Sequence, residues 1–282
     1  MGVEVRGKSM LRMESETGWW LIRHPDHARL AGDFASAWGN DRFRRPEPRA
    51  RVLYGIATHD DGWAARDAHP SITRQGKPSA FSSDLVGKYS AFEEIDLAEY
   101  LAVRDRAVRI IAEKDPYAGL LILMHTYNLL TAHADRTTIA AEGRTLLDAF
   151  LADQRLHQRE LLTAISADPT LTPLEKSEQT ILEHFRLLQA CDNLSLLSCV
   201  AYGEPAHLLH PLPLNDGSTL EVKVLPIAPR QFRLSPWPFA QSEMTFRFPA
   251  KHVEGRVFGS SAELDEAYSA AEEMQLSVTL IE

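Results

Sequence analysis

Cysteine is nearly absent from this chain: Cys191 and Cys199 are the only two in 282 residues. They lie eight positions apart on what reads as one helix, a rise of roughly 12 Å that rules out their pairing. Structural disulfides are therefore not part of the design. Long hydrophobic runs are missing too, since no segment approaches the roughly 18 continuous apolar residues of a membrane span. The opening Met1-Gly2-Val3-Glu4-Val5-Arg6 lacks the apolar core of a signal peptide, and Arg6 stands where a myristoylation motif needs Ser or Thr. The expectation is a cytoplasmic protein with no membrane partner. Positive charge is in deficit, at a formal net charge of −9. That balance argues against a nucleic-acid partner, because such proteins carry basic surface that releases phosphate counterions. Neither an internal repeat nor a low-complexity segment is visible.

What the chain does contain is ordinary globular material, 44% hydrophobic and 24% charged, long enough for one large domain or a main domain with an appendage. Met10 to Ile22 reads as a short β-hairpin turning at Glu14 to Gly18. After Pro25 the period changes, and His27, Leu30, Ala31, Phe34 and Trp38 fall on one helical face, with His24 an exposed turn residue before it. A second helix spans about Arg49 to Asp60, with Gly62 as its terminator. Ala64 to about Glu94 has no clear period and reads as a long loop of the kind that forms lids or contacts substrate. Helical periodicity then dominates to about Tyr202, punctuated by Asp115-Pro116, Asp168-Pro169 and Thr172-Pro173.

The last stretch alternates, with strands near Thr219 to Leu225, Gln231 to Leu234, Met244 to Phe248 and Leu276 to Ile281, and a helix over Ser260 to Met274. The expected fold is mainly α: a hairpin at 1–23, a helical bundle at 24–205 and a small α+β appendage at 206–282. An isolated hairpin is marginal in water, so the first strands are candidates to extend the C-terminal sheet, although nothing local dictates that pairing.

One stretch concentrates chemistry: Thr58-His59-Asp60-Asp61-Gly62-Trp63. A neutral imidazole beside a carboxylate offers one borderline and one hard donor, a mixture suited to Mn, Fe, Co, Ni or Zn rather than to an all-oxygen calcium site. His27 and Asp192 fall on the inward sides of their own helices. A carboxylate within Leu188 to Leu197 costs several kcal/mol if it is buried, ionised and unpartnered, and a metal removes that cost. The bland alternative is that His59 and Asp60 cap a helix while Asp192 bonds a neighbouring helix end.

The order His27, His59-Asp60, Asp192 resembles the HD-domain superfamily of metal-dependent phosphohydrolases, and His59-Asp60-Asp61-Gly62 is similar to its His-Asp-x-Gly form. The resemblance implies an HD-like helical bundle with those four residues as metal ligands. It also implies His125 as a contributor to a second metal or to substrate. Four segments look like a bacterial family of uncharacterised function: His24 to Ala31, the His-Asp-Asp-Gly-Trp block, Cys191 to Leu196 and Pro236-Trp237-Pro238-Phe239. That likeness covers nearly the whole chain and implies no activity.

Two imidazoles and two carboxylates leave room on an octahedral ion for water and a substrate oxygen. The expected reaction is thus hydrolysis of a small phosphate ester or nucleotide with a divalent metal (Mn, Fe, Mg, Co, Ni or Zn). Asp61 is the candidate base, or else a solvated helix-end residue. Members related to cyclic-dinucleotide hydrolases often have Lys after the motif. Here Trp63 stands in that place, to stack on a base or simply to pack. Asp67, Lys77 and Lys88 are loop candidates to reach substrate, with Lys77, Lys88, Arg66 or Arg29 replacing the missing charge; solvated surface is the alternative for each. Two other classes stay open: an HD-type di-iron oxygenase, in which His125 or Asp61 completes a second iron site, and a non-catalytic metal- or ligand-binding module.

Overall fold

The computed structural model describes residues 10–88 and 96–282. The opening Met1 to Arg6 and the end of the expected loop, 89–94, lie outside the described residues. A hairpin of β1 (Leu11–Glu14) and β2 (Gly18–Ile22) leads into α1 (His24–Ala37), α2 (Arg49–Thr58), a 3-10 turn over Asp61–Trp63 and the short α3 (Ala64–Asp67). Four long helices follow: α4 (Leu97–Lys114), α5 (Pro116–Ala132), α6 (Ala141–Ala167) and α7 (Glu178–Cys199). The chain ends with β3 (Ala206–His207), β4 (Leu212–Pro213), β5 (Thr219–Leu220), β6 (Lys223–Ala228), β7 (Gln231–Ser235), β8 (Glu243–Glu254), α8 (Ser261–Ala270) and β9 (Glu273–Ile281).

The helix starts are written locally. Asp96 accepts from the Glu99 amide to open α4, and Asp115 accepts from Tyr117 and Ala118 ahead of Pro116 to open α5. Ser177 accepts from the Thr180 amide to open α7. Each satisfies backbone donors that the first helical turn leaves unpaired.

The expectation of a mainly α bundle with a small appendage is corrected here. About 49% of the protein is helix and 21% strand, and the strands build a seven-stranded sheet in the order β1-β2-β8-β9-β7-β6-β3. β2 pairs antiparallel with β8 through Trp19↔Val253 and Trp20↔His252, so the hairpin belongs to that sheet. β8, twelve residues long, pairs along most of its length with β9. β7 and β9 run parallel. The physical reason for the difference is that strand partnership is non-local. A short alternating segment does not carry the identity of its neighbour, and β8 reads as a five-residue strand when judged only by its apolar half.

One face of the sheet packs on α1, where Phe34 meets Phe246 edge-on at 4.8 Å. One continuous core cluster runs from Leu30, Val52, Leu121 and Leu188 on the helices to Val224, Phe232 and Leu280 on the strands. Helix α1 is thereby held between the sheet and helices α2 and α7. Among the described residues no helix is long and apolar enough to cross a membrane.

Candidate metal centre

His59 and Asp60 follow directly on the last turn of α2. His59 keeps right-handed backbone angles, and the turn over Asp61–Trp63 then redirects the chain. Gly62 matters here for space. A Cβ at this position would lie 2.7 Å from Ala107 Cβ and 2.8 Å from the Val103 carbonyl. Glycine lets α4 press against the His-Asp turn, a role distinct from the helix terminator that its position suggests.

Three further elements converge on this turn. His27 comes from α1, His125 from α5 and Asp192 from α7, and all are buried together with His59 and Asp60. His27 Nε2 is 3.1 Å from Asp60 Oδ2, and His59 Nε2 is 3.3 Å from Asp192 Oδ1. His125 Nε2 is 3.9 Å from Asp192 Oδ2.

The outer nitrogens decide the tautomers. His59 Nδ1 donates to the Ile56 carbonyl at 2.7 Å. His27 Nδ1 lies 3.0 Å from Ser195 Oγ, which itself donates to the Asp192 carbonyl at 2.8 Å, so the imidazole is the donor. Both rings are therefore anchored at Nδ1 and turn Nε2 toward the carboxylates, the arrangement that outer hydrogen bonds impose on metal-ligating histidines. His59 Nε2 is buried without an aligned hydrogen bond.

Among the described residues, two groups of side chains are close enough to hold an ion: His27, His59 and Asp60, and His59, His125 and Asp192. In each, the ligand atoms lie within 4.8 Å of one another. The donor set, imidazole nitrogen and carboxylate oxygen in buried positions, suits a divalent transition metal.

The charges of the centre's side chains balance internally. Burial disfavours a charged His59, but Asp60 and Asp192 outweigh it and raise the imidazole to about 9. Burial likewise opposes ionisation of Asp60, but Arg104 and His59 overcome it and hold the carboxyl well below the usual range. Asp192 is lowered against its burial by His59. Burial prevails at His27, which is lowered, and at His125, lowered to about 4.

Arg104 is the residue that motif reading misses. Its Nη1 donates to Asp60 Oδ1 at 2.7 Å, and its guanidinium lies over the rings of Trp63 and Tyr100 at 5.1 and 5.5 Å. A signal was present: Arg104 interrupts the buried stripe Leu101, Ala107, Val108, Ile111 of α4, and a cation on an apolar face requires a partner.

The other expected site residues are placed elsewhere. Asp61 is about one-third exposed, with Oδ1 3.6 Å from an exposed Arg29. Trp63 is buried, stacked on His24 at 5.0 Å, with Arg66 and Arg104 over its ring. Asp67 is fully buried and accepts from the backbone amides of His24 at 2.5 Å and Met10 at 3.1 Å. His24 is accordingly mostly enclosed at the start of α1 instead of lying in an exposed turn. Lys77 sits over the Trp19 ring at 5.9 Å.

A cavity of about 410 Å³ opens onto the centre through Asp192 and His125. Its walls include Leu129, Leu196, Leu197 and Leu209, with Phe81 and Leu85 from the connection after α3. Lys88, His133 and Asn193 line it as well, whereas Asp61, Trp63, Asp67 and Lys77 do not.

Fold and centre together define a mixed α/β protein with a buried His/Asp cluster that could hold a metal, facing a cavity of about 410 Å³. Residues 10–255 match the model of a family described as protein of unknown function (DUF3891), and the chain belongs to that family. No curated protein and no solved structure matches the chain.

Proposed function

We propose that this protein is a metal-dependent phosphohydrolase acting on a small phosphate ester or nucleotide. The observation that carries the reading is the orientation of His27 and His59: both rings are pinned at Nδ1 and present Nε2 to two buried carboxylates beside a cavity. The ordered His, His-Asp, Asp set and its resemblance to the HD-domain phosphohydrolases support the same conclusion.

His27, His59, Asp60 and Asp192 would hold the ion, with Mn, Fe, Co, Ni, Zn and Mg as the candidate metals. When bound, such an ion supplies Lewis acidity toward water and phosphoryl oxygen. Asp192 and His125 are the side chains that both belong to the centre and line the cavity, so the reacting phosphoryl group is received there. Lys88, in the same cavity, takes the role of the missing motif lysine in neutralising phosphate charge.

The position of His59 supports a single ion. Both three-residue groups include it, and its Nδ1 is committed to Ile56, so its single free nitrogen serves one ion at a time. A single-ion hydrolase is favoured over a di-iron oxygenase for that reason.

Elemental analysis of the purified full chain is expected to find one divalent ion per chain, and the variants His59→Ala and Asp60→Ala to have lost it. Variants that keep full metal overturn the site, and two irons per chain favour the oxygenase. A panel of phosphate esters assayed with each metal tests the reaction, and absence of turnover throughout speaks for the non-catalytic binding module.

A further inference from the structure

We infer that the group esterified to phosphate in the substrate is apolar, alkyl or aryl in class, and seats among Leu129, Leu196, Leu197 and Leu209. This rests on the phosphohydrolase reading and narrows its substrate. About 410 Å³ falls in the range of roughly 300–1,000 Å³ typical of small-molecule sites, so the cavity accommodates more than an inorganic phosphate. With the phosphoryl group received at Asp192 and His125, the remainder of the ester extends along the leucine walls.

Those walls discriminate against a sugar. Gln189 is the longest amide facing the cavity, and both of its ends are already engaged. Its Nε2 donates to Asn128 Oδ1 at 2.8 Å, and its Oε1 accepts from His210 Nε2 at 2.6 Å. A ribosyl or glyceryl group packed on the leucines would surrender water that those side chains cannot replace, and beyond the centre and Gln189 the described lining offers its hydroxyls only Lys88, His133 and Asn193. An alkyl or aryl group loses nothing of that kind and gains by leaving water.

The test uses the metal-loaded full chain and two series of probes, n-alkyl phosphonates from methyl to hexyl and the matching n-alkyl alcohols, with calorimetric dissociation constants as the readout. Phosphonates are expected to bind about fourfold more tightly for each added methylene until the cavity is full. Leu196→Asn is expected to flatten that slope while metal content stays at the wild-type level. If that variant does not fold, the slope on the wild-type chain decides. Phosphonates that bind with no dependence on chain length overturn the inference and leave the phosphohydrolase reading standing. Alcohols that show the full slope, with no added affinity from the phosphonate head, support the apolar seat and overturn the phosphohydrolase reading. Absence of binding by both series overturns both.

Discussion

Arg104 Nη1 donates to Asp60 Oδ1 across 2.7 Å, and neither side chain is as much as one-tenth exposed. The pair does two things. It compensates a carboxylate that burial would otherwise disfavour, and it leaves Asp60 Oδ2 to face His27 at 3.1 Å.

Removing this guanidinium by Arg104→Ala is expected to destabilise the protein by about 3–5 kcal/mol, the cost of an orphaned buried charge. Metal affinity is expected to fall by about 10–100-fold, as when an outer partner of a ligand is lost. Arg104→Lys retains charge without the planar fork and should fall between the two. Denaturant titration and a metal-binding isotherm check both effects. Wild-type metal affinity in Arg104→Ala would show that the guanidinium does not position Asp60.

Asp67 is an anchor. Its carboxylate collects the amides of Met10 and His24, joining the segment before β1 to the first turn of α1. Asp67→Ala leaves the His24 amide unpaired at about 1–3 kcal/mol and the Met10 amide with His24 Nδ1, 3.1 Å away, as its remaining acceptor, while Asp67→Asn retains one acceptor oxygen and should cost less. Thermal unfolding of the two variants ranks them, and the opposite order would refute the anchoring role.

Gly119 sits in α5 where the helix passes α4. A Cβ there would lie 2.5 Å from Ala112 Cβ and 2.6 Å from Ala112 Cα. Helix propensity alone favours alanine by up to about 1 kcal/mol, but overpacking costs about 1–3 kcal/mol, so the steric effect wins and Gly119→Ala is expected to destabilise. Ala112→Gly in the same chain should restore part of the loss. A neutral single variant would mean that the two helices separate without cost.

His184 gives the protein a pH dependence remote from the centre. Its Nδ1 lies 2.8 Å from Tyr117 Oη, and burial lowers its pKa from 6.5 to about 4. Between those values the unfolded chain takes up a proton that the folded chain refuses, so this contribution is intact above pH 6.5 and is lost as pH falls toward 4. Its full size is about 3 kcal/mol. Urea unfolding at pH 7, 5.5 and 4.5 should show the decline, and His184→Gln should flatten it. An unchanged slope in that variant would assign the decline to other groups.

Local sequence determined a good deal. Adjacent placement of His59 and Asp60 at a helix end, capping by Asp96, Asp115 and Ser177, and a carboxylate embedded in the apolar run around Asp192 all follow from neighbours within a turn or two. Hydrogen bonds and side-chain periodicity at that range depend on few residues, so the pattern is written where it acts.

Tertiary structure alone decided the rest. Arg104 reaches Asp60 across 44 positions, and Ser195 meets His27 across 168. The first hairpin, in sequence only a candidate to extend the C-terminal sheet, pairs with a strand more than two hundred residues later and brings that sheet to seven strands. Trp63 became packing because α1 and α4 bring His24 and Arg104 to its ring, while Lys88 took the cavity position expected equally of Lys77. Each of these outcomes depends on which surfaces meet, and the free energy of that meeting is shared among residues that carry no mark of one another in the linear chain.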